Sequence, residues 1–451
     1  MTRNREKVVL AYSGGLDTTV CIRHLMERYG LEVVALLIDV GQGADLRSAA
    51  RRARACGAAD VVVIDVRDRF VREFVFPSLK ANAAYQGRYL LSAALSRPLI
   101  AALLVEQAHR TGAASVAHGC TGKGNDQVRF DVAIHALDPG LRILAPIREL
   151  ALSRDASVEY ARQHGIEVEE KGRNPFSIDA NLWGRSIECG VLEDPWQEPP
   201  EEAFFMTSPA ATAPGQPGLV EIGFEQGVPV ALDGRALGPV PLIQQLNELG
   251  GAHGVGRIDQ IEDRVVGIKS REVYEAPGAH LLHLAHRDLE DLTLTGELLR
   301  FKHAVDTRYA DLVYGGRWYS PLRRALDAFI DETQTAVTGK VRLKLYHGSA
   351  RVVGRESRHA LYVRNLATYE RGDSFHQEAA EGFIELYGLD LVTLARNAAA
   401  PGAAGAAADA KPAAAAGGGP ATGDRGGLAT PATGTEPAHA ERAAAGSERQ
   451  P

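Results

Sequence analysis

The chain has 451 residues, enough for two or three domains with well-buried cores. Its net charge of −7 provides no broad cationic surface, so we expect no nucleic-acid partner. Four cysteines, at positions 21, 56, 120 and 189, form no Cys-x-x-Cys pair, which favours reduced thiols over a disulfide framework or a zinc site. No apolar run reaches the length of a membrane span, and the first is too short for a signal peptide, so we predict a cytoplasmic protein without membrane contact.

A nine-residue stretch at positions 11–19, Ala-Tyr-Ser-Gly-Gly-Leu-Asp-Thr-Thr, follows the first apolar run and precedes a helical pattern. A strand, a glycine loop and a helix in this order turn backbone N–H groups and a helix N-terminus toward an anion. Ser13 and Thr18 add hydroxyl donors, and Gly14 and Gly15 leave room for a phosphate beside the backbone. The stretch is not a Walker A loop, and taken alone it fits either a phosphate site or a simple turn.

Short apolar runs alternate with helical stretches over the first 170 residues. The predicted strands are 8–12, 33–39, 61–66, 114–117 and 143–147, and the predicted helices include 45–56 and 98–111. This alternation is typical of a parallel sheet covered by helices on both faces, whose ligands bind beyond the carboxyl ends of the strands. The glycine loop leaves the first strand at such an end, so its position suits a ligand.

A second polar loop, His-Gly-Cys-Thr-Gly-Lys-Gly-Asn-Asp-Gln-Val-Arg at 118–129, follows the predicted strand 114–117. Three glycines within six residues make this segment a poor helix and a poor core. A solvated turn would not need so many different polar functions. We therefore predict a ligand loop at the same edge of the sheet as the first one.

The pattern changes after position 171. Residues 194–218 are predicted to form a long surface connection, 219–232 and 340–354 to form antiparallel hairpins, and 242–249 and 289–306 to be helical. An amphipathic segment at 375–396 is predicted to be helical and to dock either on a neighbouring subunit or on its own chain. Residues 398–451 are mostly Ala, Gly, Pro and Thr, a composition that predicts disorder because it buries too little apolar surface.

The two polar loops together resemble those of the argininosuccinate synthases, enzymes that carry the SGGxD[ST] loop of ATP pyrophosphatases. Further stretches match that family in order, at 39–42, 88–91, 177–182, 254–258 and 269–275, so the resemblance extends from about residue 7 to residue 395. The resemblance and the composition of the last residues together predict an α/β protein with four parts. These are a parallel-sheet nucleotide-binding domain of the ATP pyrophosphatase type at 1–170, an α+β synthetase domain at 171–365, a C-terminal oligomerisation helix at 366–397 and a disordered tail at 398–451.

The resemblance also implies a reaction, that of a ligase of arginine biosynthesis. The ureido oxygen of citrulline attacks the α-phosphorus of ATP, which gives citrullyl-AMP and pyrophosphate, and the amino group of aspartate then displaces AMP. The expected partners are ATP with Mg²⁺, L-citrulline, L-aspartate and further copies of the chain in a homotetramer. No side-chain metal ligands are expected. Alignment of three substrates and donors for the phosphate charge matter more here than a nucleophilic side chain.

Site residues follow from the resemblance by matching position. The ATP site is expected at Ala11, Tyr12, Ser13, Gly14, Gly15, Leu16, Asp17, Thr18, Thr19, Ile38 and Gly119, the aspartate site at Thr121, Asn125 and Asp126, and the citrulline site at Tyr89, Asn125, Arg129, Ser177, Ser186, Glu262 and Tyr274. The residues expected to be catalytic are Ser13, Asp17, Asp126 and Arg129. Arg129 can fork onto a carboxylate and Glu262 can receive an ammonium group.

Plainer interpretations stay open for several of these residues. Tyr89 and Tyr274 could be half-buried packing residues, Glu262 could belong to a solvated charge run, and Cys120 is expected to fill space within its loop. The chain also departs from the family at Ala94, where many members have a serine that contacts citrulline. Ser92 or Arg97 could compensate, or the contact could be dispensable.

Two further hypotheses compete with the synthase. Another adenylating enzyme with a pyrophosphatase loop, such as a tRNA thiolase, should have a catalytic cysteine pair and a basic surface, and an amidotransferase-type synthetase should have a glutaminase module. The sequence offers none of these features. A non-catalytic scaffold that retains the fold is the remaining alternative, although both ligand loops are intact.

Overall fold

The computed structural model describes residues 5–150, 154–164 and 176–399. The chain divides into two compact units, the first ending at Asp373 and the second beginning at Ser374. The predicted disordered tail, except for its first two residues, lies outside the described residues.

The first half of the chain alternates strands with helices. Its elements are β1 (Lys7–Ala11), α1 (Leu16–Tyr29), β2 (Glu32–Asp39), α2 (Leu46–Ala55), β3 (Asp60–Asp65), α3 (Arg67–Phe70), a π-helical turn (Val71–Val75), α4 (Phe76–Lys80), α5 (Ser92–Thr111), β4 (Ser115–Ala117), α6 (Asp126–Leu137), β5 (Arg142–Leu144), α7 (Pro146–Leu150) and α8 (Arg154–Gln163). The strands form one parallel sheet in the order β3-β2-β1-β4-β5. The predicted parallel sheet is therefore confirmed.

Both faces of the central strands β1, β2 and β4 are buried, as the near-continuous apolar runs predicted. In β1, Val8 and Leu10 belong to the core beneath α1, whereas Val9 belongs to the core shared with α5 and the second half of the chain. Successive side chains of a strand point to opposite faces, so one apolar run supplies both cores.

Three sequence-based boundaries in this half are wrong. The predicted strand 143–147 ends at Leu144, and its last residues lie in α7, which begins at Pro146. Proline suits the first turn of a helix because the missing N–H has no partner there anyway. Helix α5 begins at Ser92 and contains Pro98, so the proline does not mark its start. Helix α6 already includes the last four residues of the second polar loop, since the three glycines lie before Asp126.

The second half is α+β. Its elements are β6 (Ser177–Asn181), β7 (Gly184–Glu188), two 3₁₀ turns (Gly190–Glu193, Glu201–Ala203), β8 (Gly218–Glu225), β9 (Val228–Leu232), β10 (Arg235–Ala236), α9 (Pro239–Ala252), β11 (Arg257–Asp263), β12 (Lys269–Glu275), α10 (Pro277–Thr293), α11 (Gly296–Tyr314), α12 (Pro321–Thr333), a 3₁₀ turn (Gln334–Ala336), β13 (Gly339–Tyr346), β14 (Ser349–Glu356) and α13 (Arg364–Ala367). Its strands form two antiparallel sheets, β10-β9-β8-β13-β14 and β11-β12-β7-β6. The predicted hairpins at 219–232 and 340–354 are both confirmed.

The predicted helix 289–306 is two helices. Helix α10 ends at Thr293 and α11 begins at Gly296, with the Thr295 side chain accepting a hydrogen bond from the Leu298 amide. Threonine favours a helix N-cap because its hydroxyl satisfies an amide that has no partner within the helix. This short-range cap outweighs the continuous apolar periodicity.

The second unit contains two helices, α14 (Ala379–Tyr387) and α15 (Leu389–Ala399), separated at Gly388. They replace the single predicted segment 375–396. Their large apolar side chains are exposed in the single chain, including Leu386 at 75% and Leu394 at 64%. Among the described residues, no helix is both long enough and apolar enough to cross a bilayer.

Candidate active site

The first polar loop leaves β1 at the carboxyl edge of the parallel sheet. Gly14 has φ = +82°, and Ser13 Oγ lies 3.2 Å from Thr18 Oγ1 and 3.3 Å from the Gly15 amide nitrogen, which donates to it. Within the described ranges, no side chain caps the amino-terminal end of α1 at Gly15. The first amides of α1 and the positive end of its dipole therefore face the loop, as an anion site requires.

The second polar loop lies directly beside the first, because β4 pairs with β1. A Cβ added at Gly119 would lie 2.9 Å from Thr18 Cγ2 and 3.4 Å from the Thr18 amide nitrogen. Gly119 thus allows the two loops to touch. The structure confirms that both predicted ligand loops share one edge of the sheet.

A third segment reaches this edge after β2. The Ile38 carbonyl accepts a hydrogen bond from Gln42 Nε2 (2.7 Å), and the Leu182 amide donates to the Val40 carbonyl (2.8 Å). Gly41 has φ = +88°, and a Cβ there would lie 2.8 Å from Leu182 Cβ. The turn between β6 and β7 is consequently held against the loop after β2. This contact joins the first half of the chain to the second half.

One face of the antiparallel sheet β11-β12-β7-β6 is polar. Tyr274 pairs in register with Ser186, and Ser177 pairs with Glu188. The opposite face of the sheet carries Ile187 and Val273 in a small core. A strand alternates its side chains between faces, so polar residues on one face create a floor for a polar ligand.

Glu262 lies on this floor with only 2% of its surface exposed. Its carboxylate accepts hydrogen bonds from the Tyr274 hydroxyl, from the Tyr314 hydroxyl (2.8 Å) and from Gln260 Nε2 (2.9 Å). Burial raises the pKa of Glu262, and the two tyrosine hydroxyls oppose part of that rise. Three donors at one carboxylate favour its ionised form, which suits recognition of an ammonium group.

Arg129 lies in the first turns of α6 and is 4% exposed. Its Nε donates to the Tyr314 carbonyl (2.9 Å) and its Nη1 to Asp126 Oδ1 (2.9 Å). The third nitrogen, Nη2, is buried and has no hydrogen-bond partner among the described residues. A buried N–H without an acceptor is costly, so Nη2 is a candidate donor to a ligand oxygen.

Asp126 lies between two arginines. Arg97 Nη2 donates to Asp126 Oδ2 (2.7 Å) and also to Asp179, while Arg129 contacts the other oxygen of Asp126. Burial opposes ionisation of Asp126, but the two arginines together lower its pKa to about 2. Burial raises the pKa of Asp179. The carboxylate of Asp126 is therefore ionised, and its negative charge is balanced by Arg97 and Arg129.

Two stacked pairs of tyrosines lie beside Glu262. The Tyr89 ring stacks on Tyr274 at 4.2 Å, and the Tyr85 ring stacks on Tyr314 at 3.5 Å. The Tyr89 hydroxyl accepts hydrogen bonds from the amides of Ala93 (2.9 Å) and Ala94 (3.4 Å). These two contacts come from the backbone, so the absence of a serine at position 94 leaves them in place.

Several predicted residues come together and others contribute less directly. Tyr89, Asn125, Arg129, Glu262 and Tyr274 are connected by the contacts described above or by Tyr314, which Asn125 Nδ2 also contacts at 2.9 Å. Ser177 and Thr121 are exposed, and Ser186 Oγ donates to the Asp179 carbonyl at 3.4 Å. Sequence reasoning missed Tyr85, Asp179 and Tyr314 as site residues. Asp179 lies within a quoted motif, whereas no motif marks Tyr314.

No group of three or more His, Cys, Asp or Glu side chains within the described ranges is placed to hold a metal ion. Mg²⁺ prefers oxygen ligands and keeps much of its water, and it is often carried by phosphates. The donor set near the two loops fits an ion that arrives with a nucleotide better than one caged by side chains.

Family models cover most of this architecture. Residues 7–167 match the arginosuccinate synthase N-terminal HUP domain, and residues 176–394 match the arginosuccinate synthase C-terminal domain. The chain belongs to the argininosuccinate synthase family. The resemblance inferred from the two polar loops is thereby confirmed, and the junction between the two argininosuccinate synthase models lies between the parallel sheet and β6.

Curated relatives in the argininosuccinate synthase family match over nearly their whole length. The argininosuccinate synthase of Thermosynechococcus vestitus is 56% identical over 385 residues, which cover 85% of this chain and 96% of the relative. That of Gloeobacter violaceus is 57% identical over 385 residues, covering 85% and 97%. That of Symbiobacterium thermophilum is 56% identical over 386 residues, covering 85% and 96%.

Proposed function

We propose that this chain catalyses the ATP-dependent condensation of L-citrulline with L-aspartate to argininosuccinate, releasing AMP and pyrophosphate. The observation that carries the proposal is the pairing of a buried arginine nitrogen without a partner, Arg129 Nη2, with a buried carboxylate that receives three donors, Glu262. These two groups suit the carboxylate and the ammonium of an amino acid. They lie in one hydrogen-bonded network with the second polar loop, which touches the phosphate loop.

The chemistry requires two displacements. The ureido oxygen of citrulline attacks the α-phosphorus of ATP, the bond to the β-phosphate oxygen breaks, and citrullyl-AMP and pyrophosphate result. The amine of aspartate, after losing a proton, attacks the activated ureido carbon, and AMP leaves with the oxygen that came from citrulline. Adenylation is needed because a urea is a poor electrophile until its oxygen becomes a leaving group.

In this proposal the two polar loops and the end of β2 bind the nucleotide. The amides and hydroxyls of residues 11–19 would hold the phosphates, with Ser13 and Asp17 central, and Ile38 and Gly119 would border the nucleoside. The uncapped amino-terminal end of α1 supports this assignment, since charge that develops on pyrophosphate is stabilised by fixed donors. Mg²⁺ would enter with ATP and neutralise the phosphate oxygens.

The amino acids would occupy the second loop and the polar floor. Citrulline would contact Tyr89, Asn125, Arg129, Ser177, Ser186, Glu262 and Tyr274, and aspartate would contact Thr121, Asn125 and Asp126. Asn125 is shared, which would bring the attacking amine close to the ureido group and supply the proximity that the second step needs.

Assembly into a homotetramer is a further part of the proposal. The exposed apolar side chains of α14 and α15 support it, since a helix pair so rich in exposed Leu, Ile and Phe is favoured to bury them against another chain. A light-scattering mass near four times 48.3 kDa is the expected result, and a monomer mass would contradict it.

Product analysis tests the catalytic proposal. With ATP, Mg²⁺, aspartate and citrulline labelled with ¹⁸O in the ureido group, AMP and pyrophosphate should form only when citrulline is present, and the label should enter AMP. Formation of ADP, AMP production without citrulline, or no turnover would contradict it, and the last outcome would favour a scaffold.

An Asp17→Ala variant should lose this turnover. Asp17 lies in the first turn of α1, beside the phosphate loop, and the variant should still unfold in a cooperative melt, which separates lost catalysis from lost folding. Asp68→Ala, the same change at an exposed position in α3, is the matched control and should keep full activity.

A further inference from the structure

Tyr314 is the last residue of α11 and only 2% of its surface is exposed. It contacts three residues that belong to the proposed citrulline site. Its hydroxyl lies 2.8 Å from Glu262 Oε2 and 2.9 Å from Asn125 Nδ2, and its carbonyl accepts from Arg129 Nε at 2.9 Å. A buried side chain with this set of contacts connects the carboxylate of the site to its cation.

The direction of the hydrogen bonds at the Tyr314 hydroxyl is determined by its neighbours. The Asn125 Oδ1 atom accepts from the Val265 amide at 2.8 Å, which fixes the orientation of the Asn125 side chain. The Asn125 amino group is then the donor to the Tyr314 oxygen, because an amide nitrogen cannot accept. The Tyr314 proton is therefore directed to Glu262.

The packing between Tyr314 and Arg129 is equally constrained. The Arg129 guanidinium carbon lies 4.9 Å from the centre of the Tyr314 ring, and the Tyr85 ring stacks on the same tyrosine. Two residues further on, Gly316 has φ = +74°, and a Cβ there would lie 2.7 Å from Arg129 Cα. The end of α11 is thus held tightly against α6, and Arg129 Nη2 is the guanidinium nitrogen for which the described residues provide no hydrogen-bond partner.

We propose that Tyr314 is a positioning residue for citrulline, which holds the Glu262 carboxylate and the Arg129 guanidinium at the separation that the ammonium and carboxylate of one amino acid require. This inference depends on the proposed function. It assigns to Tyr314 no contact with the reacting atoms. Removal of the hydroxyl takes one donor from Glu262 and one acceptor from Asn125, while the ring and the carbonyl remain.

Citrulline recognition by Glu262 depends on pH, because Glu262 must be ionised to receive an ammonium group. Other titratable groups near Glu262 are Glu272 and Tyr274 on β12, and Tyr85 and Tyr89 before α5. The Tyr314 hydroxyl favours the ionised carboxylate by donating to it. Loss of this donor raises the pKa of Glu262, so citrulline recognition fails at a higher pH than in the wild type.

The test compares Tyr314→Phe with Tyr309→Phe. Tyr309 lies on the same helix, is fully buried, and donates its hydroxyl proton to Asp327 (3.0 Å), away from the site, so its variant loses an equivalent hydrogen bond. Tyr314→Phe should raise the citrulline KM about 10- to 100-fold, the usual effect of a lost hydrogen bond to a charged group, with the ATP KM unchanged. The acid limb of kcat/KM for citrulline should move up by about one pH unit in this variant alone.

The outcomes separate the positioning hypothesis from its premise. If the wild type shows no citrulline-dependent AMP formation, the proposed function fails before any variant is compared. If the wild type turns over and Tyr314→Phe keeps its citrulline KM and acid limb, the positioning hypothesis is wrong. The hypothesis would also be wrong if Tyr314→Phe raised the KM values for ATP, citrulline and aspartate equally, left the acid limb unchanged and behaved like Tyr309→Phe. A purely structural contribution of Tyr314 predicts that result.

Discussion

The planar guanidinium of Arg129 directs its three nitrogens to three different places. Nε and Nη1 donate to the Tyr314 carbonyl and to Asp126, and Nη2 has no hydrogen-bond partner in the part of the chain that the structure describes. A lysine ammonium is a single point charge and cannot reproduce this fork, even though it keeps the positive charge beside Asp126. We therefore expect the proposed site to depend on the geometry of this side chain more than on its charge.

An Arg129→Lys variant should therefore bind citrulline poorly. We expect the citrulline KM to rise about 10- to 100-fold, from loss of a charged hydrogen bond, while ATP binding changes little. Initial rates at varied citrulline measure the effect. Arg72→Lys, at an exposed ion pair with Asp68, is the control, and an equal change in both variants would contradict the expectation.

Single residues also show how far sequence reasoning reaches. Asn125, Arg129 and Glu262 were predicted as ligands from their matching positions in the family resemblance, and the structure brings them into one network. Tyr314 has no motif, and it reaches the site only because α11 ends there, 52 residues beyond Glu262 in sequence. A contact of this kind depends on helix length and packing, which the local pattern does not contain.

At the level of elements, the two polar loops meet because β4 pairs with β1 and because Gly119 has no side chain. A Gly119→Ala variant should force the loops apart, since its Cβ would lie 2.9 Å from Thr18 Cγ2. Overpacking of this sort costs about 1–3 kcal/mol, so we expect the ATP KM to rise about tenfold or more.

Gly122→Ala is the matched control for this loop. A Cβ there would have its nearest contact with Arg148 Cγ at 3.8 Å, an ordinary distance, and the ATP KM should stay at the wild-type value. Equal ATP KM values for the two alanine variants would show that the close approach at Gly119 is unimportant.

Elements were predicted best where one periodicity dominates. The five parallel strands and the two long hairpins were predicted because buried runs and alternation are unambiguous. Errors arose at element ends, where α10 and α11 separate at the Thr295 cap and α5 continues through Pro98. At such points one hydrogen bond or one tertiary contact determines where the helix begins or ends, and the apolar pattern of the sequence contains no information about that contact.

Across the first unit, a buried charge cluster ties distant segments together. Lys302 Nζ donates to Asp306 Oδ1 (2.8 Å) and lies 3.1 Å from Glu290 Oε1, and Asn82 Nδ2 donates to Glu290 Oε2 (2.6 Å). These residues join the segment before Tyr85 to α10 and α11. The cluster lies outside the site, but it fixes the position of the segment that carries Tyr85 and Tyr89.

This cluster predicts a pH dependence of stability. Burial raises the pKa of Asp306 to about 7, although Lys302 opposes the rise. A folded-state pKa above the ordinary value of 3.8 means that the folded protein binds this proton more tightly than the unfolded chain. The stability contributed by Asp306 is therefore full below about pH 4 and is lost as the pH rises through 7.

An Asp306→Asn variant isolates that contribution, because asparagine resembles the protonated acid and cannot ionise. Relative to the wild type, its free energy of unfolding should increase by about 1–3 kcal/mol between pH 5 and pH 8, as denaturant titrations at each pH would measure. Asp68→Asn, the same substitution at an exposed position in α3, is the matched control. A constant difference for Asp306→Asn would mean that Lys302 keeps Asp306 ionised in the folded protein at pH 5, and that the cluster is then a fully charged ion triad of Lys302, Glu290 and Asp306.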